Sequence, residues 1–154
     1  MKTLSKQEAL HKAAAYCSLV ERCIFDVEEK LQKWSVDKET SKEVIDYLLK
    51  EKFIDEERFT KSFVSDKLTF NKWGKIKITA ALKQKNISQE LIQTALENII
   101  EEQYFSILKK VLVNKKMNIK SKDKYDLQNK LIRFGLSRGF SFDEIQSVIK
   151  SEML

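Results

Sequence analysis

The side chains best able to do chemistry in this sequence are its clustered cations. Residues 72–85 contain five lysines and no acidic residue, and residues 103–142 contain ten lysines and arginines opposed only by Asp123 and Asp126. Such clusters are typical of surfaces that bind a phosphate backbone or an acidic protein. A solvated helix face is the alternative and stays open. The candidate binding residues are Lys72, Trp73, Lys75, Lys77, Lys83, Lys85, Lys109, Lys115, Lys116, Lys130, Arg133 and Arg138.

Trp73 differs from the other aromatic residues, which fall at spacings suited to a helical core. It stands beside Gly74 in a basic turn. An exposed indole there could stack on a base or on a partner side chain. It could also fill the junction between two helices, and this second interpretation is preferred.

Catalytic patterns are not found. His11 is the only histidine, and the two cysteines, Cys17 and Cys23, are six residues apart without a second pair. There is no glycine-rich phosphate loop, no paired-glycine fingerprint and no zinc-binding spacing. We therefore expect a protein that is not an enzyme, with no metal and no cofactor.

The cysteines and the first residues bear on the compartment. We expect both cysteines to be buried as small apolar residues in a reducing environment. Residues 1–5 lead directly into a charged helix, and no apolar run reaches membrane-spanning length. The expectation is a cytoplasmic monomer without a membrane partner.

The elements that must position the cations are helices. Proline is absent and glycine occurs only three times, whereas a β-rich chain needs many Gly and Pro turns. Lys, Glu, Leu, Ile and Gln dominate instead, and most of these favour helix. The fold class is therefore all-α.

An internal repeat organises these helices. Apolar residues coincide at Val27, Ile78 and Leu131, at offsets of 51 and 53 residues. A helix with the 3.6-residue period precedes and follows each of these segments, so the order helix, short helix, helix occurs three times. The expected repeats are residues 1–54, 55–100 and 101–154. Stacked repeats share apolar faces, which predicts an elongated, curved molecule.

Local signals predict where several helices begin and end. Asp26 with Glu29, and Ser141 with Glu144, each suggest a capping box. Asp55 opens the fourth helix, and Gly139 suits a left-handed residue that ends the eighth. The segment 114–122 breaks the helical period and is the best linker candidate.

The net charge of +6 is unevenly placed along the chain. It is 0 in residues 1–54, +2 in residues 55–100 and +4 in residues 101–154. We therefore expect the second and third repeats to supply most of the binding energy and the first mainly to extend the contact.

Three motifs in order resemble the RecX family over about residues 9–150. Residues 53–63, FIDEERFTKSF, are similar to the segment that joins the first family repeat to the second. Gly74, Ile78, Leu82, Lys85 and Ile87 resemble its glycine-led second-repeat helix, and residues 130–142, KLIRFGLSRGFSF, its third-repeat ending. The chain departs from the family pattern where Ser35 and Asn86 stand at places that often hold glycine, and where Lys75 follows Gly74 in place of proline.

This resemblance implies a function without catalysis. It implies a protein that lies in the groove of the RecA–single-stranded DNA filament, bridges protomers and limits the recombinase and coprotease activities. Two alternatives stay open. One is a sequence-specific DNA-binding regulator of the helix-turn-helix type, although its third-position helices would present acidic first turns to DNA. The other is a helical-repeat scaffold for acidic proteins with no nucleic-acid role.

Overall fold

The computed structural model describes residues 4–154. Met1 to Thr3, which belong to the segment expected to precede the first helix, lie outside the described residues. Within the described residues the chain forms nine helices and no strand, which confirms the all-α fold. The helices are α1 (Lys6–Leu19), α2 (Ile24–Lys33), α3 (Lys38–Lys50), α4 (Glu56–Thr69), α5 (Lys75–Gln84), α6 (Gln89–Glu97), α7 (Glu101–Asn118), α8 (Lys124–Ser137) and α9 (Phe142–Ser151). None of the helices between residues 4 and 154 is both long and apolar enough to cross a membrane.

Most helices begin at a short polar side chain that accepts a hydrogen bond from the backbone N–H three residues later. Asp55 does so for α4, as predicted. The predicted capping box of Ser141 and Glu144 is also confirmed, with both hydrogen bonds formed at 2.9 and 3.1 Å. These side chains satisfy N–H groups that have no partner inside the helix.

The prediction that Asp26 caps α2 with Glu29 is wrong. The helix begins at Ile24, so Asp26 already lies in its first turn and accepts from the N–H of Cys23 at 3.4 Å. The N–H of Ile24 donates to the carboxylate of Glu56 at 3.3 Å. A group from the next repeat therefore helps to start this helix, which a local motif cannot predict.

The linker predicted at 114–122 is wrong in part. Helix α7 continues through Asn118, and only residues 119–123 connect it to α8. The polar residues Asn114, Lys115 and Lys116 break the apolar stripe because they lie on an open face of a helix that continues past them.

The middle helices α2, α5 and α8 all end in the same way. The residue after each C-cap has a positive φ: 59° at Ser35, 59° at Asn86 and 95° at Gly139. The next residue's N–H then donates to the carbonyl five residues before it, at 3.0–3.2 Å, as in the Schellman motif. Serine is less suited than glycine to this conformation. Helix α9 ends in the same way at Met153, so the motif agrees with the repeat alignment but is not confined to the middle helices.

The buried residues form two separate cores. Val27, Ile78 and Leu131 are each fully buried, as the repeat alignment predicts. The first repeat has a core of its own, whereas the second and third repeats share one continuous core. Cys23 is the first-repeat residue that enters the shared core. The expectation of shared apolar faces therefore holds chiefly between the second and third repeats.

Helix α5 has no side-chain cap, and the third repeat closes its N-terminus. The N–H of Gly74 donates to the carbonyl of Arg138 at 2.7 Å, and that of Ile76 to the carbonyl of Gly139 at 3.0 Å. Between them, the N–H of Lys75 donates to the Tyr104 hydroxyl at 3.1 Å. The C-terminal end of α8 therefore meets the N-terminal end of α5, which aligns the two helix dipoles favourably.

Two glycines allow this close approach. A Cβ atom on Gly74 would overlap the carbonyl of Gly139, and one on Gly139 would overlap the side chain of Lys77. Gly135 differs, because a Cβ atom there would meet no backbone but the side chain of Ile145, at 2.6 Å from Cδ1 and 2.8 Å from Cγ1. Backbone contact at Gly74 and Gly139 thus sets the spacing of the second and third repeats.

Polar contacts join the first repeat to the second, in addition to the packing of Cys23 and Phe25 against the shared core. Arg58 pairs with Glu21 at 2.5 Å, and Lys85 pairs with Asp26 at 2.5 Å. The accessible surface of the chain is 10101 Å², whereas a compact monomer of this mass exposes about 8,100 Å². The excess agrees with an elongated array of repeats.

Replacing Ile78 by alanine should lower the free energy of unfolding by ~2–5 kcal/mol, the usual cost of removing a buried large aliphatic side chain. Urea denaturation followed by circular dichroism measures it. Ile76→Ala is the matched control, because Ile76 is 58% exposed and exposed substitutions usually stay within about 0.5 kcal/mol. Equal effects at the two positions would contradict the repeat alignment.

Gly74→Ala should destabilise the protein by ~1–3 kcal/mol, because an added methyl group must push the α8–α9 turn away from α5. Gly135→Ala is the comparison, since its methyl group meets the side chain of Ile145 and no backbone. Thermal or urea unfolding compares both variants with the unaltered protein. A Gly74→Ala protein as stable as the unaltered one would show that the backbone contact does not hold the repeats together.

Candidate nucleic-acid interface

A groove lined by cations runs between α7, α8 and the loop that joins α4 to α5. Its deeper part has a volume of ≈ 480 Å³, and a neighbouring depression of ≈ 340 Å³ shares Lys115 and Phe134 with it. We call the two together the basic groove. No Asp or Glu of the described chain lines it. Its cations are Lys72, Lys110, Lys115, Lys130, Arg133 and Arg138.

Helical spacing places the polar side chains of the groove on shared faces. Lys110, Asn114 and Asn118 follow one another at four-residue intervals along α7, while the neighbouring Val111 is buried in the core. Phe134 and Arg138 are likewise four residues apart at the end of α8. The groove therefore presents cations and amide groups above an apolar floor, a combination suited to phosphate oxygens.

Phe134 holds two of these cations in place. The Nζ atom of Lys115 lies 4.6 Å from the centre of its ring, and the guanidinium carbon of Arg138 lies 6.0 Å away. The ring attracts both cations without neutralising their charge. Because these cations already cover the Phe134 ring, the ring positions them and has little free face for stacking.

Arg138 is more than a surface cation. Its guanidinium donates to the carbonyl of Asn71, and its own carbonyl accepts from Gly74. Its Nε atom is buried and has no hydrogen-bond partner among the described residues. The side chain is therefore only partly exposed. Arg138 joins the second and third repeats while contributing charge to the groove.

Several predicted binding residues lie elsewhere and have partners. Lys85 lies in the salt bridge with Asp26 at the junction of the first two repeats. Burial lowers the pKa of Lys85, but the hydrogen bond and charge of Asp26 outweigh this effect, so the pKa is raised overall. Lys109 pairs with Glu152 at 3.1 Å on the outer face of α7. Lys83 and Lys116 are exposed outside the groove.

The start of α5 gathers three further predicted residues. The indole of Trp73 is partly buried against the shared core and lies between the ammonium groups of Lys67 and Lys77, at 4.9 and 4.8 Å. This placement supports the interpretation that Trp73 fills a helix junction. Lys75 lies 4.6 Å from the ring of Tyr104.

Tyr104 is the buried polar group beside these lysines. Burial raises the pKa of its hydroxyl well above the usual range, and hydrogen bonding to Glu144 acts in the same direction. The hydroxyl donates to Glu144 at 3.1 Å while accepting from the N–H of Lys75. It therefore stays protonated and joins α5, α7 and α9.

Sequence reasoning omitted Lys110, which lies in the middle of the groove. The signal that could have found it is the four-residue series of Lys110, Asn114 and Asn118 along α7. Lys130 was selected, and it lines the groove while its ammonium group pairs with Asp126 at 3.1 Å and donates to the carbonyl of Lys120 at 2.7 Å. Its positive charge is therefore partly neutralised.

Other features of the described residues do not form a comparable site. No group of three or more His, Cys, Asp or Glu side chains between residues 4 and 154 could hold a metal ion. Cys17 and Cys23 are free and buried, and burial raises the pKa of Cys23 to about 12. A cavity of ≈ 600 Å³ in the first repeat has lining residues of both charges, among them Asp37 and Lys42.

Comparisons with known proteins agree with this architecture. Models of "RecX, second three-helix domain" and "RecX, third three-helix domain" match residues 55–96 and 101–149. Regulatory protein RecX of Clostridium botulinum strain Eklund 17B is 34% identical over 158 residues, covering 97% of this chain and 73% of that protein.

Two solved structures share the fold. A crystal structure of regulatory protein RecX has a TM-score of 0.82 at 20% identity and covers 94% of this chain and 74% of that one. RecX from Lactobacillus salivarius has a TM-score of 0.80 at 22% identity, with 97% of both chains covered. Since two successive family domains match in order and a relative is similar over nearly the whole length, this chain belongs to the RecX family.

Proposed function

We propose that this protein is a non-enzymatic regulator that lies in the groove of the RecA–single-stranded DNA filament and limits the recombinase and coprotease activities. The observation that supports this most is the basic groove. Six cations of the second and third repeats line it, and no acidic side chain of the described residues does. Curated relatives bear the name regulatory protein. Many weak contacts spread along an array favour a filament over a single protomer.

The basic groove suits the DNA backbone better than base edges. Its charged groups come from α7, α8 and the loop before α5, and the helices that would act as recognition helices begin differently. Glu90 lies in the first turn of α6, and Asp143 and Glu144 lie in that of α9. Carboxylates there repel phosphates, which disfavours a sequence-specific helix-turn-helix reader.

Adding the protein to RecA filaments on single-stranded DNA should lower ATP hydrolysis and strand exchange. Charge reversal in the groove by K110E/K115E should reduce this inhibition by about tenfold or more, because like charges then oppose the phosphates. K116E/K124E is the control, since it reverses two exposed cations that do not line the groove. Equal losses in the two variants, or no effect of the unaltered protein, would contradict the proposal.

Binding to single-stranded DNA without RecA should weaken with salt and be nearly indifferent to sequence. For K110Q/K115Q the slope of log affinity against log salt should fall by about 1.4, or ~0.7 for each phosphate that the protein no longer neutralises. Titrations of fluorescent oligonucleotides at several salt concentrations measure this. An affinity that stays flat from low to moderate salt would exclude phosphate contacts, and indifference to DNA at low salt would favour a scaffold for acidic proteins.

A further inference from the structure

The first repeat carries a cluster of rings and cations that the basic groove does not include. Tyr16 of α1 and Trp34 at the end of α2 meet edge to face, with ring centres 6.5 Å apart. The Nζ atom of Lys12 lies 4.8 Å from the centre of Trp34, the guanidinium carbon of Arg22 lies 3.9 Å from that of Tyr16, and Nζ of Lys30 lies 5.3 Å from it. We call these five residues the Tyr16–Trp34 surface.

The net charge of the sequence does not reveal this surface, because acidic and basic residues balance over residues 1–54. Two of the carboxylates on this side of the repeat are neutralised from outside it. Glu21 pairs with Arg58, and Asp26 pairs with Lys85, both from the second repeat. The three cations of the surface, by contrast, form no salt bridge with any described carboxylate. The folded first repeat therefore has a local excess of positive charge.

Three other acidic residues of the first repeat face a separate cavity. Glu28 lines the separate ≈ 600 Å³ cavity together with Asp37 and Asp46. It precedes Lys30 by two residues, and residues at that spacing do not share a helix face. Glu29 does act on the surface. Burial is the main cause of the raised pKa of Tyr16, and the charge of Glu29 raises that pKa further.

Aromatic rings hold these cations in place and leave their charge available. A cation seated on a ring loses side-chain freedom, yet it can still pair with an anion. The same combination recurs at Trp73, with Lys67 and Lys77, and at Phe134. Each repeat thus presents at least one ring with two or more cations. Repeated groups of cations suit a linear polyanion with regularly spaced charges, which favours nucleic acid over the irregular surface of a folded acidic protein.

We propose that the Tyr16–Trp34 surface is a second nucleic-acid site, which binds the sugar–phosphate backbone of a single strand through Lys12, Arg22 and Lys30. This inference rests on the nucleic-acid-binding part of the proposed function. It extends that binding to the first repeat, which has the lowest net charge of the three. The strand contacts the first repeat directly, and the repeat does more than lengthen the molecule.

Tryptophan fluorescence can test this site in the full chain without RecA. The chain has two tryptophans, so W73F leaves Trp34 as the only one. Oligothymidylate should change the emission of Trp34. In the W73F background, K12Q/K30Q should lower the salt slope of oligothymidylate binding by about 1.4, at ~0.7 for each phosphate contact. K33Q/K42Q removes the same charge from exposed lysines of the same repeat and should leave the slope unchanged. Circular dichroism checks that each variant folds.

The outcomes separate this proposal from the proposed function. Unchanged Trp34 emission at saturating oligothymidylate, or equal slopes for K12Q/K30Q and K33Q/K42Q, overturns the site while a lowered slope for K110Q/K115Q still supports the basic groove. If the slope is unchanged in K110Q/K115Q as well, the nucleic-acid part of the proposed function fails. Polyglutamate is the second probe in this experiment. If it changes Trp34 emission as strongly as oligothymidylate at equal charge, the surface takes an acidic polypeptide and the nucleic-acid assignment is wrong.

Discussion

The closure of the α5 N-terminus by the turn between α8 and α9 is the contact on which the rest of the structure depends. Helix α5 starts with lysines and has no side-chain cap, an arrangement that an isolated helix would not favour. Carbonyl groups of Arg138 and Gly139 and the hydroxyl of Tyr104 supply the missing acceptors. The approach is possible because neither Gly74 nor Gly139 carries a side chain. The second and third repeats are consequently one structural unit with one core.

The basic groove lies across this same junction. Its walls come from the loop that enters α5, from α7 and from the end of α8, so the contact that joins the repeats also sets the distances between the cations. The junction with the first repeat is of another kind, since Glu56, Arg58 and Lys85 hold it through charge. Polar contacts of this sort are screened by salt more than a buried core is. The polar part of the first-repeat junction should therefore respond more to salt than the shared core of the second and third repeats.

The cations that cluster in the sequence are separated by the fold. Several of the cations in residues 103–142 line the basic groove between α7 and α8. Sequence reasoning could not separate Lys110, which lies in the groove, from Lys109, which pairs with Glu152. The sequence pattern also predicts Lys85 as a binding residue, whereas the structure places it in a salt bridge with Asp26. The acid that neutralises a lysine can stand some fifty residues away, at a distance that only the fold sets.

Features that depend on near neighbours could be predicted from the order of the residues alone. Residue preferences gave the all-α class, and apolar periodicity identified Val27, Ile78 and Leu131 as equivalent core positions. Cap residues such as Asp55 and Ser141 marked helix starts, because a cap acts within three or four residues. Contacts between repeats explain why Glu56 helps to start α2 and why the third repeat caps α5. They also separate the cations that have an acidic partner from those that have none. These outcomes depend on hydrogen bonds and ion pairs between repeats, whose partners no local pattern specifies.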